Sequence, residues 1–419
     1  MKPSLILFLF FIGLKAYAVS NLAPSLDIPT AKVLPKGVRN FRYKTIWANI
    51  GEQYNQKGEI TPLSESLTKE ITWKEIVKLN GEDDKDALDK KKLQGLLWAN
   101  NVPLEEKVGE ATGAIKINVN THVFALAYGV TEQFTGAIAV PTNRYTLNVN
   151  TAFSSNKSRG TQAIRDEGKR PYEKLREKLE RPLQQKLADF GYSPLVNEKG
   201  SNFGDIKLIG RYQQINQQSF LLALNSEISL PTSKKASPYK SIDVTGGESQ
   251  LHFSAGLSAE YQLVPELTFS GAISHIYRIK DQLPLRVPEE EGVAISPDID
   301  WKANRRLGDI SKIEAGLQIA LTDDFNFSLG HAYQLKQRDT YSRGKTSSIP
   351  SSRYQYLERE TQAQLHTTLI SLSFHTITKF QQKKFPLPME SKISLMRNYQ
   401  GKNINVDSTM TSLDLAFFF

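Results

Sequence analysis

The chain closes on Thr409-Met410-Thr411-Ser412-Leu413-Asp414-Leu415-Ala416-Phe417-Phe418-Phe419. Thr411, Leu413, Leu415, Phe417 and Phe419 fall on one side of an extended chain, because side chains alternate faces with a period of two. Met410, Ser412, Asp414, Ala416 and Phe418 take the other side, which therefore tolerates a charge near the chain end. Three bare phenylalanines on a free edge would invite aggregation. A membrane barrel pairs every edge and places aromatics in its interfacial girdle. The stretch predicts the closing strand of a transmembrane antiparallel β-barrel; the buried edge of a soluble β-sandwich is the alternative.

This terminus resembles the closing strand of Gram-negative outer-membrane proteins, with a terminal Phe and apolar residues at alternate positions before it. The resemblance implies that Leu413, Leu415, Phe417 and Phe419 are a signal read by the barrel-assembly machinery. It also implies that outer-membrane lipids and lipopolysaccharide surround the wall. Met1 to Ala18 reads as a signal peptide: Lys2 gives the charge, Leu5 to Leu14 the apolar core, Ala16-Tyr17-Ala18 the cleavage site. Residues 19–37 then form a short periplasmic lead segment or small plug, and residues 38–419 the barrel.

No run of about 20 apolar residues follows, and mean hydropathy is −0.39, which suits a wall where only every second residue meets lipid. The absence of cysteine removes disulfides and thiolate metal sites and suits export through an oxidising compartment. The net charge of +9 falls to +7 without the two lysines of residues 1–18. No basic run with interleaved aromatics accompanies it, so nucleic acid is not a partner.

The alternation of the terminus recurs along the chain and predicts twelve strands. Phe41, Tyr43, Thr45 and Trp47 open the first. Ile115 to Ala127 is the longest, with Ile115, Ile117, Val119, Thr121, Val123, Ala125 and Ala127 on the outer face. Its return is interrupted at Pro141, which predicts a bulge. Hairpins follow at Ile206–Tyr212 with Phe220–Leu230, Leu251–Leu263 with Leu267–Tyr277, and Ile313–Leu321 with Phe325–Leu335. Thr361–Phe380, with a bulge near Leu369 and Ile370, Phe385–Tyr399 and Ile404–Phe419 complete the set. Connections alternate long and short with the C-terminus on the short side, as in outer-membrane barrels. The long loops carry helices: Leu67, Ile71, Ile76 and Leu79 mark one stripe, Leu88, Leu93, Leu96 and Leu97 another, and Leu175, Leu179, Leu183 and Leu187 a third, interrupted at Pro182. They predict either a lid packed on itself or an apolar capture site.

Leu126-Ala127-Tyr128-Gly129-Val130-Thr131-Glu132, Phe203-Gly204-Asp205-Ile206-Lys207-Leu208 and Leu321-Thr322-Asp323-Asp324-Phe325 resemble the outer-membrane channels of the meta-pathway phenol-degradation transporter family, which is similar to FadL-type channels. That resemblance implies passive uptake of small molecules, hydrophobic or aromatic ones among them. FadL-type channels block the lumen with an N-terminal hatch. Ser20-Asn21-Leu22-Ala23-Pro24 lacks the hatch's Asn-Pro-Ala order, which argues against a full hatch.

By register, the lumen-lining candidates are Arg42, Lys44, Lys116, Asn118, Asn120, His122, Lys207, Arg211, Glu227, His252, Glu260, Arg278, Lys280, Lys336 and Arg338. With Asp205 and Glu314 added, nine cations face four acids, an excess of five that would favour anions or carboxylate-bearing solutes. The alternative is solvated or paired wall charge, kept off the lipid face because a midplane cation costs roughly 2–4 kcal/mol. No Ser–His pair stands out among the six histidines, and no His–Glu cluster has metal spacing. The expectation is a channel and no enzyme, with no cofactor and a small-molecule solute. An anion-preferring porin, a barrel-type lipid-modifying enzyme and a loop-mediated adhesive or structural protein are the alternatives.

Overall fold

The computed structural model describes residues 27–65, 69–79, 90–155, 158–167, 173, 187–291, 295–406 and 409–419. The signal peptide, Leu67, Leu88 and the third leucine stripe before Leu187 lie outside the described residues.

Twelve antiparallel strands close on themselves. They are β1 (Arg39–Ile50), β2 (Lys107–Gly129), β3 (Phe134–Ser155), β4 (Ile206–Asn216), β5 (Phe220–Leu230) and β6 (His252–Val264). The second half is β7 (Leu267–Arg278), β8 (Ile310–Ala320), β9 (Phe325–Lys336), β10 (Ala363–His375), β11 (Met389–Lys402) and β12 (Thr409–Phe418). Sequential neighbours pair throughout, and β12 returns to β1 from Asn40↔Phe418 to Trp47↔Thr411. The terminal stretch is thus the closing strand: Arg39 and Phe419 exchange backbone hydrogen bonds of 2.8 and 3.0 Å.

Tight connections share one end. In two of them a threonine does the same work: the Thr131 hydroxyl accepts from the Gln133 and Phe134 amides, and the Thr322 hydroxyl from those of Asp324 and Phe325. That local bonding holds the turn without a partner strand. The pattern is uneven near the C-terminus, where residues 376–388 include a helix, Ile377–Gln381, and the last loop is only residues 403–408.

Side chains sort by parity. Phe253, Leu257 and Tyr261 stand exposed on the outer face of β6, whereas Ser258 and Glu260 are buried inside. Leu257→Arg is expected to lower barrel stability in vesicles by about 2–4 kcal/mol, read by urea titration, because the cation then faces hydrocarbon.

Three strand readings need correction. Pro141 is not at a bulge, because β2 pairs with β3 without a shift through Val123↔Pro141. It sits where β3 changes partner, from β4 at Ala139 to the short strand Glu198–Phe203 at Thr142, so its missing N–H falls in the gap. The shift in β10 lies at His366/Thr367 against β11, rather than at Leu369 and Ile370, which follow regular alternation. Ile404–Val406 leaves the wall and pairs with Glu52–Tyr54 in a separate sheet.

The first loop carries helices Trp73–Leu79 and Lys90–Ala99. They pack on each other: Trp73, Ile76, Val77, Leu93 and Leu97 form one buried cluster with Val102, Val108 and Ile164. Between the lid-like and capture-site alternatives, the stripe residues Ile76, Leu93 and Leu97 are already covered.

Candidate functional site in the barrel interior

β1 alternates Arg42 and Lys44 against Phe41, Tyr43 and Thr45, so both cations point inward. On β12 the same parity turns Asp414 inward between Leu413 and Leu415. On β11 it turns Lys392 inward beside the outward Ile393. Cross-strand register places Lys44, Asp414 and Lys392 in one row. Arg42 clasps Asp414 through two contacts of 2.7 Å, and Lys44 lies 3.6 Å from the same carboxylate.

The lead segment, residues 27–36, runs across this interior. Asp27 accepts from Lys44 at 2.8 Å, touches Lys392 directly and lies 3.8 Å from Arg42. Burial alone would raise the Asp27 carboxyl, but Lys392, Lys44 and Arg42 outweigh it and hold it well below the ordinary carboxylate range. A depressed group gives its full stabilisation above the unfolded value of about pH 4 and loses it only as pH falls through the lowered value. Conductance and segment accessibility are therefore expected to stay flat between about pH 8 and about pH 5, as bilayer recordings and labelling of an engineered thiol would show.

Farther along, Glu260 accepts from the Thr30 hydroxyl at 2.5 Å and the Ala31 amide at 2.7 Å. Ser258, Gln213 and Arg211 donate to the carbonyls of Thr30, Ala31 and Lys32 at 2.8, 3.2 and 3.0 Å. The Leu34 amide donates to Thr135 at 2.7 Å. Gly129 is required here, since a Cβ on it would sit 2.0 Å from the Pro35 carbonyl.

Ile28 packs against the apolar cluster of Leu369, Met396 and Met410. Gly316 and Gly330 leave room for it: a Cβ on Gly316 would lie 2.9 Å from the Ile28 Cβ. Gly316→Ala is thus expected to push Ile28 off the wall. In this chain without cysteine, an engineered thiol at Ile28 should label several-fold faster in that background. The cavity beside Asp27, Pro29 and Glu314 holds about 10 Å³, room for roughly one water.

The remaining inward charges pair within the wall or with acids of the loops at its rim. Lys207 meets Glu227 at 2.8 Å, Lys312 meets Glu314 at 2.9 Å, Arg278 meets Glu248, and Lys336 meets Asp339. Arg211 bonds Asn225 at 2.8 Å. His252 faces inward, 3.7 Å from Glu227 and 3.9 Å from Glu248. Of the two readings of the nine-to-four excess of inward cations, these contacts match the paired wall charge. Periodicity had counted charges on strands but not their partners in loops and the lead segment.

Several predicted lumen residues lie elsewhere. Lys116, Asn118, Asn120 and His122 share the outer face of β2 with the exposed Phe124, Leu126 and Tyr128. His122 meets the Tyr43 hydroxyl at 2.8 Å. Asn118 and Asn120 line an outward depression of about 470 Å³ with Trp47, Arg144 and Thr411. The inward residues are Ile115 and Ile117, buried against Leu63, Leu187, Tyr192 and Leu195 from the loops. Polarity inverts on upper β2 because its inner face meets packed loops rather than water. Lys280 and Arg338 lie beyond the ends of β7 and β9, where Lys280 is exposed and Arg338 is 3.5 Å from Glu358. Asp205 caps loop amides of Ser233, Glu248 and Ser249 at 2.9–3.0 Å.

The loop end is closed by polar cross-links. Arg286 donates to the carbonyls of Phe190, Gly191, Pro238 and Ser296 and stacks 3.9 Å over Tyr192. Asp300 accepts from the Tyr354 hydroxyl at 2.5 Å and the Gly344 amide at 2.8 Å. Burial raises the Tyr354 phenol to about 12, with the Asp300 bond adding to it.

Asp27 carried no periodic signal in the sequence, being in a Pro-containing segment. Lys392 was legible, since it alternates with Ile393 and Leu395. One catalytic-type pair also emerges that spacing could not show: His275 Nδ1 lies 3.1 Å from Ser311 Oγ on the outer wall.

This closed twelve-stranded antiparallel barrel has the architecture of outer-membrane proteins. The COG4313 outer membrane channel from Pseudomonas putida F1 superposes with a TM-score of 0.54 at 9% identity, over 94% of this chain and all of that one. The Pseudomonas putida toluene transporter TodX (TM-score 0.29, 9% identity, 92% and 89% of the two chains) and a Pseudomonas aeruginosa FadL homologue (0.29, 8%, 91% and 89%) were also found. The last two scores are too low to carry an argument. No family model matches the chain, and no curated relative does.

Proposed function

We propose that the protein is a passive outer-membrane channel for small molecules, hydrophobic or aromatic compounds among them, with residues 27–36 as a displaceable plug. One observation carries this reading. The interior is crossed by the chain's own lead segment, held by single hydrogen bonds and ion pairs, and the β-barrel closes without it. A purely structural barrel has no need to fill its lumen with a separable segment. The resemblance to phenol-pathway channels and the channel description of the Pseudomonas putida F1 relative support the same class.

Planar-bilayer recording tests it. Steps of current that lengthen when the plug is weakened support the channel. Silence in both the natural chain and a plug-deleted chain overturns it. An anion-preferring pore is not favoured, because the inner cations named above have partners. A lipid-modifying enzyme is not favoured either. The cross-strand neighbours of His275 are Ser311 and Ala255, so no acid or amide stands directly across from it to orient the imidazole as hydrolysis requires.

For assembly, we assign the signal to Leu413, Leu415, Phe417 and Phe419. The first three face lipid and Phe419 is 62% exposed, so deletion of Phe419 should reduce folded protein in cells while leaving refolding in detergent unchanged.

A further inference from the structure

Most ion pairs of the inner wall join residues that the barrel itself holds in place. Lys44 and Lys392 differ: both hold Asp27 on the lead segment, while Lys44 also keeps Asp414 of β12 at 3.6 Å. The next residue, Ile28, lies against Leu369, Met396 and Met410. Asp27 and Ile28 together present a carboxylate joined to a compact apolar body, with cations gripping one and an apolar wall the other. Gly316 and Gly330 hollow the wall where that body lies.

We infer that Arg42, Lys44 and Lys392, with Leu369, Met396 and Met410, form a lumenal site for a small apolar carboxylate of the benzoate class, which Asp27 and Ile28 occupy in cis. This rests on the channel reading for its use in transport, but the site itself is testable without transport. When the segment leaves, Arg42 remains oriented by its two contacts to Asp414, whereas Lys44 and Lys392 lose the Asp27 carboxylate that bridges them. Two ammonium groups flanking one carboxylate match the charge of an incoming acid and discriminate against amines. The burial of Lys44 and Lys392, whose side chains are 8% and 13% exposed, strengthens the pairing over its value in bulk water.

Occupation in cis has a measurable consequence. If the segment fills the site nine-tenths of the time, a free ligand binds about tenfold more weakly than its intrinsic affinity. The experiment is calorimetric titration of benzoate into the full chain in detergent, with acetate and benzylamine as probes lacking the apolar body or the negative charge. The double variant Asp27→Asn/Ile28→Ala is expected to bind benzoate about tenfold more tightly than the natural chain, acetate more weakly, and benzylamine not at all. Adding Lys392→Gln should remove the gain, and Asp27→Asn alone, which keeps the shape of the side chain, should give an intermediate affinity. Gel mobility before and after heating verifies that each barrel is folded.

Equal benzoate affinity in the natural and double variants, or binding of benzylamine as strong as benzoate, overturns the proposal. Conductance recorded on the same preparations separates it from the channel reading. Current without the affinity gain leaves a channel and removes the site; the gain without current does the reverse. Absence of both removes both.

Discussion

Deleting residues 27–34 is expected to raise single-channel conductance, or the fraction of time spent open, about tenfold or more. The barrel should survive the loss. Closure runs through β1 and β12 from Asn40 and Trp47 to their partners, and these pairings begin beyond the deleted stretch. The segment is fastened, but modestly. A side-chain hydrogen bond of the kind made by Thr30, Ala31 and Leu34 contributes roughly 0.5–1.5 kcal/mol. Ordering each residue of the segment costs roughly 1–2 kcal/mol of backbone entropy, so gains and costs nearly offset, and the segment can leave. A sharper contrast comes from within it. The Lys32 side chain is 65% exposed and comes no nearer to Glu260 than 3.7 Å, so its water-screened ammonium holds the segment weakly and Lys32→Ala should change conductance little. If Lys32→Ala and the deletion behave alike, the contacts of Thr30 and Ala31 are not what closes the lumen.

The barrel itself was legible because lipid imposes a strict rule on every second residue, and the terminal Leu413, Leu415 and Phe417 obey it without exception. The same rule misled on β2. There the apolar series from Ile115 to Ala127 was assigned to lipid, although Phe124, Leu126 and Tyr128 on the opposite parity are the exposed ones. Both faces of this 23-residue strand are apolar somewhere along its length: outside at the turn end, inside where loops pack. Alternation reports two environments but not which is which once the interior is filled. The site was half visible. Arg42, Lys44 and Glu260 followed from parity, and Lys392 was available by the same argument. Asp27 was not, because a segment without a period binds through single residues and leaves no pattern.

The largest stability effect is expected at Lys336, a predicted lumen cation that the structure places in the rim of β9. Its ammonium and the Asp339 carboxylate are both 2% exposed and in direct contact. Lys336 also donates to the Thr361 carbonyl at 2.8 Å, and Asp339 accepts from the Gly308 amide at 2.7 Å. Asp339 therefore joins the loop before β8 to the loop before β10. Asp339→Ala leaves a buried ammonium without its counter-ion and an amide without its acceptor, and is expected to cost about 3–5 kcal/mol. Urea unfolding of the detergent-folded barrel measures it. Arg338, one residue away from Gln337 and 3.5 Å from Glu358, has a side chain 55% exposed, and Arg338→Ala should cost no more than about 1 kcal/mol. The decisive comparison is Lys336→Met/Asp339→Leu. Removing both charges abolishes the desolvation penalty, so the double variant should recover most of the stability that Asp339→Ala loses. Failure to recover would mean that Asp339 stabilises the rim through its bond to Gly308 rather than by neutralising Lys336. Conductance offers an independent view of the same pair. A cation serving permeation would change ion preference when removed, whereas a neutralised rim charge should leave it as it was.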